Sequence, residues 1–333
     1  MSNSNELELA GLDGANPLSF LAALGTIRTL GAIQPGSQFE MKWCSHSGKW
    51  TPSIRTSDRP LDRDGTCSTL IEYLEKPPQW YLFESIGDNL TLSPQRFRHL
   101  AEESISTTDD QRVESTESND RLNADLMAAF GSDGTFQPHS KDHSLIQDTA
   151  LRTMSGAGHQ HFIRFMREII EQTTATHLYE TLFENWRYQD EGRGLNLRWD
   201  PVDDRRYAMR WKNPSADPNM TMRGANRLAI EALPLFPTAV VGTKLETTGF
   251  KTIPRKGTFW YWPIWNRWLP IDSIKTILQH PAISQEESLN LPKGIVTTFK
   301  SQRITVGKFR NFTPAVPVSY ENEGTVTGVD GTQ

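Results

Sequence analysis

PLSFLAALGTIRTLGAIQPGSQFEMKWCSHSGKWTPSIR, residues 17–55, decides the class of fold, because the hydrophobic period changes inside it. In its first half Leu18, Leu21, Leu24, Ile27 and Leu30 recur at helical spacing. Asn16 is a natural N-cap, and Pro17 suits the first helical position because its missing N–H is not needed there. Gly31 and Pro35 supply stop signals. The helix is apolar on nearly every face, which predicts burial. In the second half Phe39, Met41 and Trp43 alternate with Glu40 and Lys42, and Ser47-Gly48 follows. A period of two running into a turn predicts a hairpin.

The rest of the chain carries the same mixture. A helix is expected around Cys67–Leu74, then a turn at Lys76-Pro77-Pro78 and a strand over YLFESI, residues 81–86. Residues 102–119 are polar and without periodicity, which predicts a loop or lid. Phe162, Met166, Ile169 and Ile170 define an amphipathic helix over 158–173, and Leu178, Leu182 and Trp186 a second over 175–187. Residues 195–270 are rich in Trp, Pro, Gly and Arg and predict strands and structured loops, with a short helix near Asn226–Ala232. Ile271–Gln279 reads as helix and VTTFKSQRITVGKFRNF, 296–312, as strand. Helices and strands do not alternate regularly, so the expectation is α+β, with mixed helices and antiparallel strands in one large or two closely packed domains. Residues 9–100 form an N-terminal α+β part and 101–140 a polar loop or insertion. Residues 141–320 hold a helical pair followed by a basic, Trp-rich strand region, and 321–333 are a tail.

With 333 residues, 36% of them hydrophobic, and 10 Trp and 15 Phe, the chain can bury a sizeable core. No stretch approaches the roughly 18 apolar residues of a membrane span, so no membrane partner is expected. The opening MSNSNELELAGLDG lacks the basic and apolar regions of a secretory signal, and two cysteines make no disulfide framework; the cytoplasm is the default. The net charge of −5 hides an asymmetry: residues 1–140 hold 11 Lys/Arg against 20 Asp/Glu, and residues 205–320 hold 17 against 6. Such polarity suggests an anionic partner for the basic end, or attraction between the two parts across an internal interface.

Cys44, His46 and Cys67, or His139 with His143, lack the spacing of a zinc site, and Cys44 is expected to be buried in its strand as a small hydrophobe. No cofactor is expected. Ser155, Gly156 and Gly158 run into the 158–173 helix, where backbone amides suit a phosphate, although a flexible turn capping a helix explains them more simply. Acid–base chemistry on a nucleic acid would need His159 or His161 with Asp203 or Asp204. The two histidines, two apart, would point to opposite sides of a helix, and the aspartates adjoin Arg205 and Arg206 as if for ion pairs. Neither G-x-S-x-G nor H-E-x-x-H occurs, so no catalytic residue is assigned and a hydrolase stays the alternative.

The richest segments are RWDPVDDRRYAMRWK (198–212), TMRGANR (221–227), GFKTIPRKGTFWYWPIWNRW (249–268) and FKSQRITVGKFRNF (299–312). Basic side chains hold phosphates while aromatic faces stack on unpaired bases. Arg206, Arg210, Lys212, Arg223, Arg227, Lys308 and Arg310 are the expected phosphate contacts, with most of the Trp260–Trp268 cluster packed in the core. Gly14-Ala15-Asn16 recurs as Gly224-Ala225-Asn226 and is read as a loop and N-cap in both places.

LDGANPLSFLAALGTIRTL (12–30), RWDPVDDRRYAMRW (198–211) and GANRLAIEALPLFP (224–237) resemble CRISPR-associated proteins of type I systems, of the I-U/I-G kind. The resemblance implies a non-catalytic subunit of an antiviral RNA-guided effector complex, binding guide RNA or target DNA and docking on other subunits. Strand scission would belong to a separate helicase-nuclease. The family's glycine-rich loop has only Val306-Gly307-Lys308 to match it, which puts a guide-RNA role in doubt and leaves target-DNA contact or an accessory role open. A structural adaptor, its basic segment meeting its own acidic part, is the third reading.

Overall fold

Helix α1 (Pro17–Ile33) begins as the sequence requires, with the Asn16 side chain accepting the Ser19 N–H. It belongs to a computed structural model that describes residues 5–105, 116–137, 144–154, 160–190, 195–203, 221–285, 291–306 and 309–318. The fold is α+β, with its sheets antiparallel. Strand β1 (Glu6–Glu8) pairs with β3 (Lys49–Thr56), β3 with β2 (Phe39–His46), and β2 with the short β10 (Leu269–Pro270). A second sheet runs β12 (Phe309–Phe312), β11 (Ile295–Val306), β9 (Gly257–Trp265), β8 (Phe250–Ile253), with β13 (Val316–Pro317) also on β11. Two further ribbons, β4 (Gly131–Phe136) with β5 (Ile146–Asp148) and β6 (Thr238–Val241) with β7 (Lys244–Thr247), pack against each other.

The aromatic alternation of β9 joins the sheets. Trp260, Trp262 and Trp265 are fully buried and gather with Trp43 of β2 around Phe20 of α1, with ring centroids 4.9–6.4 Å apart. The Trp262 indole donates to the Gly14 carbonyl at 2.8 Å and the Trp265 indole to the Met41 carbonyl at 2.9 Å, so the cluster also fixes how loop and strands meet. Trp268, the fourth of the run, lies half-buried outside this core beneath Lys42 and Arg55.

Four expectations are corrected. YLFESI lies in helix α3 (Trp80–Ile86): Leu82, Phe83 and Ile86 share a helical face, and Gly87, at φ +91°, ends it. The 101–140 stretch is not a loop throughout, because α4 (Pro94–Ile105) enters it and α5 (Thr116–Phe130) and β4 follow. Leu122, Leu126, Met127 and Phe130 at helical spacing anchor α5 in the core. Cys44 is exposed, since the alternation that buries Phe39, Met41 and Trp43 turns it outward with Glu40 and Lys42; Cys67, in α2 (Arg63–Leu74), is buried and its thiol is pushed up to about 12 by that burial. Asn226 is no N-cap, because α8 (Arg223–Ala232) has already begun.

Helix α8 is buried along all ten residues. It crosses α1 where a Cβ on Gly25 would stand 1.8 Å from the Leu228 carbonyl oxygen. It crosses α7 (Ala175–Phe183) where a Cβ on Gly224 would stand 2.2 Å from the His177 carbonyl oxygen. Both glycines permit backbone-to-backbone contact that any side chain would prevent. Helix α6 (Phe162–Gln172) and helix α9 (Ile271–Leu278) complete the helical part.

Candidate nucleic-acid interface

The segments singled out by sequence meet in one region. Residues 195–200 run between the two Gly-Ala-Asn motifs: Asn16 donates to Asp200 at 3.1 Å, and Asn226 accepts the Leu197 N–H at 2.9 Å. The same stretch lies beside residues 151–153, with Trp199 donating to the Leu151 carbonyl and Thr153 to the Leu197 carbonyl. A 3-10 turn, Pro201–Asp203, then packs against β12. Asp200 also accepts from the Tyr188 hydroxyl at 2.9 Å and from the Val202 N–H at 3.0 Å. Burial raises its carboxyl above the usual range despite those three donors.

At this junction the inner face of the second sheet changes from apolar to basic. Arg303 of β11 faces Phe312 of β12 in register, and Arg310 faces Thr305, so the two arginines share a face as diagonal neighbours. Arg303 donates to the Arg152 carbonyl at 2.7 Å, and its Nε is buried without a partner. Arg152 is buried and paired with Asp148. Burial, with Arg310 and Arg152 close by and Asp148 opposing them, brings Arg303 down to about 10. Arg310, half-buried, makes no hydrogen bond or ion pair with a described residue. The β8–β9 turn ends at the same end of the sheet, since Thr258 pairs with Arg303 and Gln302 donates to the Lys256 carbonyl. Arg255 and Lys256 there are exposed. One end of one sheet thus presents Arg255, Lys256, Arg303 and Arg310, backed by Arg152.

Of the residues expected to touch phosphate, Arg310 lies in this group. Arg223 and Arg227 do not, and the expectation for them is corrected: both are buried in α8. Arg227 pairs with Glu231 at 2.7 Å and donates to the Leu74 carbonyl at 3.1 Å, while Arg28 of α1 reaches the same carboxylate at 3.2 Å. The charge of Arg227 is used inside the helical core. Arg206, Arg210, Lys212 and Lys308, together with Ser155, Gly156 and Gly158, lie outside the described residues, as do His159 and Asp204. The described residues bounding them, Met154, Asp203 and Phe309, belong to elements that touch at the junction. Sequence reasoning passed over Arg152, Arg255, Lys256 and Arg303; the period of two from Phe299 through Arg303 was the available signal for the last.

His161 stands as N-cap of α6, its Nδ1 3.0 Å from the Asn89 amide, and Asn89 also accepts the Phe162 N–H. That arrangement explains a helix start without chemistry. Among the described residues no group of three or more His, Cys, Asp or Glu could hold a metal ion, and no helix is long and apolar enough to cross a membrane. No protein-family model, no curated protein and no solved structure matches the chain.

Proposed function

We propose that the chain is a non-catalytic nucleic-acid-binding subunit of an RNA-guided effector complex of the type I CRISPR kind, engaging phosphates through the basic end of its second sheet. The observation that carries the reading is the grouping of Arg255, Lys256, Arg303 and Arg310 at that end, with Asp148 the carboxylate seen against Arg152 and Arg303 among the described residues. Guanidinium and ammonium groups gathered with little opposing charge among the described residues match a polyanion. Residues 244–312 hold 11 Lys/Arg against 4 Asp/Glu, and Lys275 reaches an acid of the N-terminal part, Asp125, at 3.9 Å. That weighs against an adaptor whose basic segment meets its own acidic part. Placement in an effector complex rests on the three segments of resemblance, two of which, 12–30 and 224–237, pack together through α1 and α8.

The test is binding of the purified chain to fluorescent single-stranded RNA, single-stranded DNA and duplex DNA across a salt series. Arg255→Ala/Lys256→Ala/Arg310→Ala is the comparison. Wild type is expected to bind with a steep salt dependence. The variant should lose about ten-fold or more in affinity and lower the slope of log K against log salt by roughly 2–3, one per phosphate contact removed. Equal affinity and slope in the two proteins would exclude this surface, and no binding at low salt would exclude the function.

A further inference from the structure

A cleft of about 390 Å³ opens where α7, residues 184–190 and the start of α8 meet, well away in sequence from the basic sheet end. Its charged lining is mixed: His177 and Glu180 from α7, Glu184, Arg187 and Asp190 from the following segment, and Arg223 from α8. Arg223 is 6% exposed. Its Nη1 donates to the Gln172 carbonyl at 3.3 Å, and its Nε and Nη2 are buried with no hydrogen-bond partner among the described residues. Those two nitrogens form the side-on edge of the guanidinium, which fits two adjacent acceptors. Asp190, which shares the cleft lining with Arg223, accepts the backbone N–H of Arg223, so its carboxylate sits at the first residue of α8. Its other oxygen is 4.0 Å from His177 Nε2. His177 Nδ1 accepts the Thr174 N–H at 3.1 Å, which leaves the ring proton on Nε2 and the ring neutral.

The lining excludes simple ligands. A free polyanion would meet Glu180, Glu184 and Asp190, and a simple cation would meet Arg223. What fits is a neutral group with two adjacent acceptors for Arg223 and neighbouring donors for a carboxylate. Guanine has this pattern: O6 and N7 accept from an arginine edge, while N1–H and the N2 amine donate to a carboxylate. Adenine lacks the acceptor pair, and uracil has a donor between its two carbonyls. Cytosine has the acceptor pair but a single donor group. Tyr188 and Met222, also in the lining, supply apolar surface for a ring.

Resting on the nucleic-acid reading above, we propose that this cleft receives an unpaired guanine, with Arg223 holding its O6/N7 edge and Asp190 its N1/N2 donors. The backbone of the strand would then be held at the sheet end and one base read here.

Guanosine, which carries no phosphate, separates this site from the phosphate surface. Its binding, with adenosine, cytidine, uridine and inosine, is to be measured by isothermal titration calorimetry and ligand-observed NMR. Guanosine is expected to bind at least about ten-fold better than adenosine, cytidine or uridine, and inosine, lacking the N2 amine, to fall between. Arg223→Lys keeps the charge and loses the fork, and should reduce guanosine binding about ten-fold or more with the circular dichroism spectrum retained. Should Arg223→Lys unfold, Asp190→Asn serves, and its expected result is a narrowed difference between guanosine and inosine. Arg255→Ala/Lys256→Ala/Arg310→Ala should bind guanosine as wild type does. Equal binding of all nucleosides, no saturation by guanosine at millimolar concentration, or guanosine binding unchanged in a folded Arg223 or Asp190 variant would overturn the proposal. Oligonucleotide binding that survives such a result would leave the phosphate surface standing.

Discussion

Two sets of arginines, neighbours in the same basic half of the chain, have opposite fates. In α8, Arg223 and Arg227 sit inside a helix buried on every face, and Arg227 is spent on Glu231, Arg28 and a main-chain carbonyl. At the end of the second sheet, Arg255, Lys256 and Arg310 stand at or near the surface with no ion pair to a described residue. The two sets look alike as residue types, and net charge counts them equally. What separates them is the backbone beneath. Gly25 and Gly224 let α8 sink against α1 and α7, whereas a hairpin end projects beyond its core. Arg227 belongs to stability, and the sheet-end set is the one proposed for phosphate recognition.

The largest effect that would break this contrast is expected at Arg227. Replacing it by Ala leaves Glu231 buried with Arg28 and Gln79 as its remaining contacts. Chemical denaturation should show a loss of about 3–5 kcal/mol, as for other buried pairs broken on one side. Arg227→Met/Glu231→Met should recover part of that loss, because the two fully buried charges leave together while Arg28, 14% exposed, loses its carboxylate but keeps some access to water. Nucleic-acid affinity per folded molecule should stay unchanged in both proteins. If it falls with Arg227 while Arg310→Ala does nothing, the assignment of the two sets is inverted.

Gly25→Ala comes next and tests why α8 is buried. The new methyl would meet the Leu228 carbonyl oxygen, a backbone atom that cannot rotate away. A destabilisation of about 1–3 kcal/mol, typical of overpacking, is expected from thermal and urea unfolding. A neutral result would mean that α1 and α8 can separate at no cost, and the close contact would then not explain the burial of Arg223 and Arg227. The loss of affinity in Arg255→Ala/Lys256→Ala/Arg310→Ala is the counterpart at the sheet end, about 1.4 kcal/mol or more for its ten-fold change, with unfolding midpoints within the small range of surface substitutions.

Much of the fold was legible because its signals are local. The capped α1, the alternation of β2 and the Trp run of β9 each state their burial in their own period. The α3 segment was misread as strand because six residues rich in aromatic and apolar side chains fit both periods, and a Pro-Pro turn before it with a glycine after it decided the matter. The site was less legible for a different reason. Whether Arg227 or Arg310 faces water depends on Glu231, Arg28 and Leu74 in one case and on the strand register in the other, and those are contacts between residues far apart in sequence. Charge composition marked the basic half of the chain. It could not say which side of the backbone faced out.

The smallest expected effect lies at the junction between the two sets. Asp200 receives Asn16, Tyr188 and Val202, yet burial raises its carboxyl above the usual value of 3.8, so the neutral form is favoured by the site more than by the unfolded chain. The unfolded chain therefore releases this proton first as pH rises past 3.8. The contribution of Asp200 to stability is largest below that value and falls as pH rises toward its folded-state value, above which it is constant. Asp200→Asn removes the titration while leaving an acceptor for Val202 or Tyr188. The difference in unfolding free energy between wild type and Asp200→Asn should shift in favour of the variant as pH rises from 3.8, by about 1.4 kcal/mol for each unit by which the carboxyl is raised. A pH-independent difference would mean that the three donors fully offset the burial. The junction would then be an ordinary ionised cap, and its coupling of α1 to the stem of the basic segment would not depend on pH.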